Sequence, residues 1–368
     1  MFKGRSIIYL IFAVALIFIV NYVGTHFKQH FMDEKNNDAE LIQKFLLNDS
    51  SLYGANKPKI WIHTKYEINA REWKDFGSRN TYNLNQPYIH YTIQSVIDHN
   101  QKDFYICLID DESFSKLIPD WDADVPTMAE PNKTYFRELG LMNLLKIYGG
   151  MIVPDSFLCT KPLWNFYKDG ISAKRPFVCE KTNRTAGTFS SSQPTNDSKI
   201  SWKKMLFVPD PYFSGCEKKD PTIDKLVEHM KRALSKHDFT EERHFLGDVS
   251  KWCIEAIENG QMNLMLGQRI GIKTQKRKTI LVEELFEEKA LDLDPSCVGI
   301  YIPEDEILHR HKYEWFAYIS KEDIFKVNVI LVKYMRANLE RTNDMYYKET
   351  TDQDMGPDLA DTRYVMTL

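Results

Sequence analysis

The stretch "LLKIYGGMIVPDSFLC", Leu144 to Cys159, decides how this chain folds. It closes a longer run, "PNKTYFRELGLMNLLKIYGG", that reads as a helix. Asn132 or Thr134 can cap its start, and Gly149 or Gly150 can supply the left-handed stop. "MIV" then makes a short strand ending at Pro154, with Asp155 directly after it.

Upstream, the pattern repeats. "KIWIHT" (Lys59 to Thr64) is a short buried strand. "QPYIHYTIQSVIDHNQ" places Ile89, Ile93, Val96 and Ile97 at helical spacing, with Pro87 suited to a first turn. "DFYICLIDDES" is apolar from Phe104 to Ile109 and reads as a central parallel strand. Strand, helix, strand, helix, strand implies a parallel sheet with helices on its faces. Right-handed crossovers bring the strand ends to one side, where ligands bind. Asp110, Asp111 and Asp155 are therefore expected on one rim.

Downstream, "RPFVCE", "KMLFVPD" and "CVGIYIP" read as strands. "PTIDKLVEHMKRALSKH" is an amphipathic helix through Ile223, Leu226, Val227, Met230 and Leu234. A helix is expected over Val249 to Ile257, and "KEDIFKVNVILVKYMRANL" reads as one final helix. Residues 182–201 are rich in Ser, Thr, Asn and Gly and read as a loop suited to covering a cleft.

The 368 residues carry a formal net charge of −4, with acids and bases interspersed, which argues against a nucleic-acid binder. At the N-terminus, Lys3 and Arg5 precede an apolar run from Ile7 to Val20, extended by Tyr22 and Val23. About 17 residues at ~1.5 Å each reach ~25 Å, enough for a thin bilayer. The expectation is a retained signal anchor, with the body lumenal or extracellular. The divisions that follow are a tip (1–5), an anchor (6–23), a stem (24–57), the main domain (58–338) and a polar acidic tail (339–368). Six cysteines show no paired metal spacing and fit either disulfides or buried free thiols. Sequons stand at Asn48, Asn132, Asn183 and Asn196.

Three segments carry a family resemblance: "PKIWIHTKY", "IQSVIDHNQKDFYICLIDDES" and "FRELGLMNLLKIYGG". They resemble the DXD-containing sugar transferases of the capsular-polysaccharide-synthesis and initiation-specific α-mannosyltransferase type, over about Lys59 to Leu163. "YGGMIVP" and "EWFAYIS" also look like proteins of large DNA viruses. The resemblance implies an α/β, GT-A-like domain with a mixed, mostly parallel sheet flanked by helices, preceded by one transmembrane helix. It implies transfer of a sugar from a nucleotide-sugar donor to a glycan or glycoprotein acceptor, with Mn²⁺ or Mg²⁺ stabilising the departing phosphates. The family's two motif aspartates fall on Pro154 and Ser156, so the metal motif is degenerate and Asp155 is its one carboxylate. The family's helical acid corresponds to Glu138, and its arginine falls on Leu141 with Arg137 nearby. Donor contacts are thus expected from Glu138, Arg137, Asp110, Asp111, Tyr148, Gly149 and Gly150, with Asp155 catalytic or metal-binding. The alternative is an inactive relative that serves as a binding or structural membrane protein.

Other residues stay open in two directions. Asp110 and Asp111 are donor contacts, a base, or strand-end caps. Asp248, with His244 near, is an acceptor-activating base or a helix N-cap. His309 and His311, alternating on an extended segment, are metal ligands or surface residues. Arg277, in "KTQKRK" with Lys273, Lys276 and Lys278, clamps a diphosphate or sits on a solvated loop.

Overall fold

The computed structural model describes residues 57–64, 86–181, 208–235 and 242–340. The N-terminal span and stem, the 182–201 segment, the His244 side chain, the sequons at Asn48, Asn183 and Asn196, and the tail beyond 340 lie outside the described residues. Among the described residues, no helix is long and apolar enough to cross a membrane.

The protein is α/β, with a mostly parallel six-stranded sheet flanked by helices. Strand β1 (Lys59–His63) lies between β2 (Tyr105–Ile109) and β3 (Gly150–Ile152), parallel to both. A small second sheet pairs β4 (Phe157–Cys159) with β8 (Gly299–Tyr301). In the main sheet β3 is followed by β6 (Pro209–Cys216), β5 (Phe177–Glu180) and β7 (Asn263–Met265). Only β6 is antiparallel to its neighbours, so five strands share one direction.

The alternation of side chains explains why the sheet is covered on both faces. Ile60, Ile62, Ile106, Leu108, Met151, Phe177 and Cys179 join one core. Their sequence neighbours Trp61, Cys107, Ile109, Ile152 and Val178 join the other. The first core is covered by α1 (Ile89–Asn100), which packs on β4. There Ser95 Oγ accepts from the Cys159 amide at 2.8 Å, and Asn100 Oδ1 accepts from the Leu163 amide at 2.7 Å. Short α2 (Ser113–Leu117) and long α3 (Asn132–Tyr148) cover the second core. Neither Asn132 nor Thr134 caps α3. Glu130 instead accepts from the Thr134 amide at 3.2 Å and from its hydroxyl at 2.7 Å.

The double glycine works as expected at the helix stop, and it does more. Gly149 has φ +69° and Gly150 φ +98°. A Cβ on Gly150 would lie 2.2 Å from the Lys59 carbonyl oxygen, and one on Gly149 2.6 Å from the Lys218 nitrogen. Only bare backbone lets β3 approach β1 so closely at this edge. Trp61 reinforces the junction by donating from Nε1 to the Gly149 carbonyl at 3.0 Å.

Beyond β4, α4 (Trp164–Gly170) packs near β6 and β7. The buried Phe177 ring lies against two glycines: a Cβ on Gly170 would come within 2.4 Å of it, and one on Gly215 within 2.6 Å. Helix α5 (Pro221–Ser235) buries Ile223, Leu226, Val227 and Met230 as its spacing predicts. Helix α6 (Glu242–Glu258) packs on α5, on α3 and on β6. The turn elements α7 (Val282–Leu285), α8 (Glu304–His309) and α9 (Glu314–Tyr318) follow.

Two expectations give way here. The sequence reading ends a strand at Asp210, whereas β6 runs from Pro209 to Cys216. Its pairing with β5 shifts register between Val178 and Cys179. The resulting bulge lets Pro211 sit inside a central strand without supplying a ladder amide. The single final helix is two: α10 (Lys321–Ile324), capped by Ser320, and α11 over residues 330–340. Lys326 and Val327 turn back onto Asp323 and Ile324, and the Ile330 amide donates to the Glu287 carbonyl, so α11 starts afresh.

Candidate functional site on the carboxyl rim

Parallel pairing brings the ends of β1, β2, β3, β5 and β7 to one edge, and the reversed β6 begins there. His63, Asp110, Asp111, Asp155, Glu180, Lys181 and Asp210 are therefore strand-end residues of one rim. The three aspartates expected there from sequence are in place.

At the β1 and β2 ends the acids are fully engaged. Arg137 on α3 grips Asp111 with both arms, donating from Nε to Oδ1 at 2.8 Å and from Nη2 to Oδ2 at 2.7 Å. His63 Nε2 lies 2.9 Å from the same Oδ1, and its ring stacks on Phe114 with centroids 5.5 Å apart. Burial opposes the charge on Asp111, but the bonds from His63 and Arg137 overcome it and hold the carboxyl well below the usual range. Asp110 closes the start of α2, accepting from the Ser113 amide at 2.9 Å and from its hydroxyl at 2.6 Å. That is the strand-end cap of the two readings open to it.

At the β3 and β6 ends several acids are buried. Asp155 is buried, and its backbone carbonyl accepts from the Thr92 hydroxyl. Burial raises the Tyr88 hydroxyl well above its usual range, and the charges of Glu304, Asp155 and Asp305 add to the effect. Tyr88 Oη is itself buried without a hydrogen-bond partner. Asp210 is buried beside this group. It accepts from the Tyr212 amide at 3.1 Å and from Tyr301 Oη at 3.0 Å. Burial raises its carboxyl, with Asp305 adding and Lys181 opposing. Glu138, one residue after Arg137, is 1% exposed, and its Oε2 has no partner. Burial pushes it up to about 8, Lys181 opposes the shift and Asp210 adds to it. Glu180 is satisfied by the Gly267 amide and by Lys273 Nζ.

Sequence reasoning passed over His63, Asp210, Tyr301, Glu304 and Asp305. His63 had a signal: it ends a strand predicted to reach the rim. Asp210 had one too, since a strand is expected to end at it, although the observed strand runs the other way and begins there.

Several expected residues stand elsewhere. Tyr148, Gly149 and Gly150 lie at the start of β3, on the amino edge. Tyr148 donates to the Leu117 carbonyl at 2.7 Å and packs on Trp61. Their expected donor role gives way to packing, since glycine is needed there for backbone contact. Asp248 is neither cap nor rim residue. It lies inside α6 and meets His229 of α5 at 2.7 Å. His309 ends α8 and bonds the Asp305 carbonyl, while exposed His311 meets Glu314. The segment is helical at its first histidine, so the two do not share one side of a strand. The basic run disperses in the same way. Lys273 meets Glu180, Lys278 meets Glu284, and Arg277 sits exposed on a turn with φ +63°.

Mg²⁺ or Mn²⁺ needs several oxygen ligands. Pro154 offers no side-chain oxygen and Ser156 offers a buried neutral hydroxyl. Among the described residues no three His, Cys, Asp or Glu side chains are grouped to hold a metal ion. The residues present do not fit the metal that the family resemblance implies. The six cysteines are unpaired and buried, and burial pushes the Cys107 and Cys159 thiols up to about 12. They are protonated at neutral pH and are poor nucleophiles.

Compared with known proteins, the chain matches no family model, no curated protein and no solved structure.

Proposed function

We propose that this rim is the donor site of a GT-A-like sugar transferase that handles its nucleotide sugar without a DXD-bound metal. One observation carries the reading: Asp155 is buried just after β3 rather than turned to solvent, and it acts with Glu304 and Asp305 on the buried Tyr88 hydroxyl. The mixed sheet, the rim position of Asp110 and Asp111, and the YGG-to-strand junction support it further. In this reading Asp155 and the acids near it accept hydrogen bonds from sugar hydroxyls, a task suited to buried carboxylates. Asp111, His63 and Arg137 are positioning residues that fix the β1 and β2 ends. An N-terminal anchor places the domain on the lumenal or outer side of a membrane.

A second reading has its own support. Arg137 is committed to Asp111, and Lys181 opposes the upward shifts of Glu138 and Asp210. Such a rim suits a neutral glycan better than a diphosphate, as in a non-catalytic glycan-binding relative. Calorimetric titration of the full-length chain with a panel of nucleotide sugars and of free oligosaccharides, with and without Mn²⁺, separates the two. The transferase reading expects nucleotide-sugar binding that is indifferent to Mn²⁺ and at least ~10-fold weaker in Asp155→Asn. Binding of oligosaccharide alone supports the second reading, and binding of neither removes both.

A further inference from the structure

We propose that the Tyr88 hydroxyl, at the head of α1, is a sugar-reading group that bonds one hydroxyl of a neutral sugar seated at Asp155. This rests on the reading of the rim as a sugar site. Tyr88 is 0% exposed, its ring stacks on buried Phe316 with centroids 5.1 Å apart, and its Oη meets no partner. Phenylalanine would supply the same stacking without burying an unmet polar atom, which is costly. Tyr301, also buried on this rim, shows the ordinary arrangement: its hydroxyl donates to Asp210 Oδ2 at 3.0 Å.

A chain of bonds sets Tyr88 at Asp155. Thr92 stands one turn after Tyr88 on the same face of α1, its amide donating to the Tyr88 carbonyl at 3.3 Å. The Thr92 hydroxyl donates in turn to the Asp155 carbonyl. The next residue, Ser156, accepts from the Ile302 amide at 3.2 Å, which brings the start of α8, with Glu304 and Asp305, to the same place. Burial and the charges of these three acids keep the Tyr88 hydroxyl protonated. A phosphate would be repelled by such acids, and an apolar ligand would leave Oη unmet. A sugar hydroxyl fits, since it can donate to a carboxylate and accept from Tyr88 at once. The sugar is either the one carried by a nucleotide donor or part of a free glycan, and the contact is the same.

The test is urea unfolding and calorimetric titration of the full-length wild type, Tyr88→Phe and Tyr301→Phe. Without ligand, Tyr301→Phe should lose unfolding midpoint, because a paired hydroxyl is removed, and Tyr88→Phe should keep or gain it. In titrations with the nucleotide-sugar and oligosaccharide panels, Tyr88→Phe should bind the ligand that the wild type binds about 10-fold more weakly. The panel that shows the loss tells a donor sugar from a free glycan. Monodeoxy forms of that ligand complete the cycle: the one that binds wild type weakly should bind Tyr88→Phe no worse than the full sugar does. Equal affinity in wild type and Tyr88→Phe overturns the assignment while leaving the rim a sugar site. A lowered midpoint or a failure to fold in Tyr88→Phe overturns it too, since the oxygen is then held by the protein or by an internal water. A wild type that binds neither panel removes the sugar-site reading itself, and this inference with it.

Discussion

At the ends of β1 and β2, Asp111 meets three nitrogen donors from His63 and Arg137, while at the ends of β3 and β6, Glu138 has an oxygen that meets none. Arg137, which grips Asp111, and Glu138 are adjacent on α3. One half keeps its carboxyl ionised far into acid, and the other keeps it protonated near neutrality. The lesson is that burial alone does not set the state of an acid. Burial raises both carboxyls, and the count of donors decides the sign.

Breaking the paired half should have the largest effect. Arg137→Ala empties a buried site and leaves the half-buried Asp111 with one histidine, and should cost about 3–5 kcal/mol in urea unfolding. Arg137→Lys keeps the charge but not the two-armed grip, and should recover only part of that loss. The pH profile sharpens the contrast. The depressed Asp111 stabilises above its unfolded pKa and loses that contribution as pH falls through its folded value, well into acid. The raised Glu138 does the reverse between about 5 and about 8, where Glu138→Gln should remove a loss on the order of 3 kcal/mol. Tyr301→Phe deletes one donor to Asp210 and should cost about 1 kcal/mol in urea unfolding. Arg277→Ala, on an exposed turn away from both halves, should stay within ~0.5 kcal/mol and leave ligand titrations unchanged.

The sheet's first three strands were legible because their signals are local. "KIWIH" and "YICLI" are continuous apolar runs of strand length, and the double glycine punctuates α3. The later half hid its rim strand. "KMLFVPD" reads as a strand ending at Asp210, whereas β6 starts at Pro209, and the register shift against β5 accommodates Pro211 inside it. The site was half legible for the same reason. Asp110, Asp111 and Asp155 follow readable strands, whereas Asp210 and Tyr301 meet across 91 residues. His309 and His311 misled because their alternation suits an extended chain, and acids at Glu304, Asp305 and Glu306 start a helix just before them.

Phe177 lies where two side chains are missing, flush against Gly170 and Gly215. Positions 170, 177 and 215 therefore share one fixed volume. Enlarging either glycine demands a smaller residue at 177, and since the nearest atoms to a Cβ on Gly170 all belong to the ring, Gly170→Ala should be rescued by Phe177→Leu although neither change is tolerated well alone. That joint allowance of space is a constraint on three positions at once. It can be sought in other sequences as one bulky ring traded against two absent side chains.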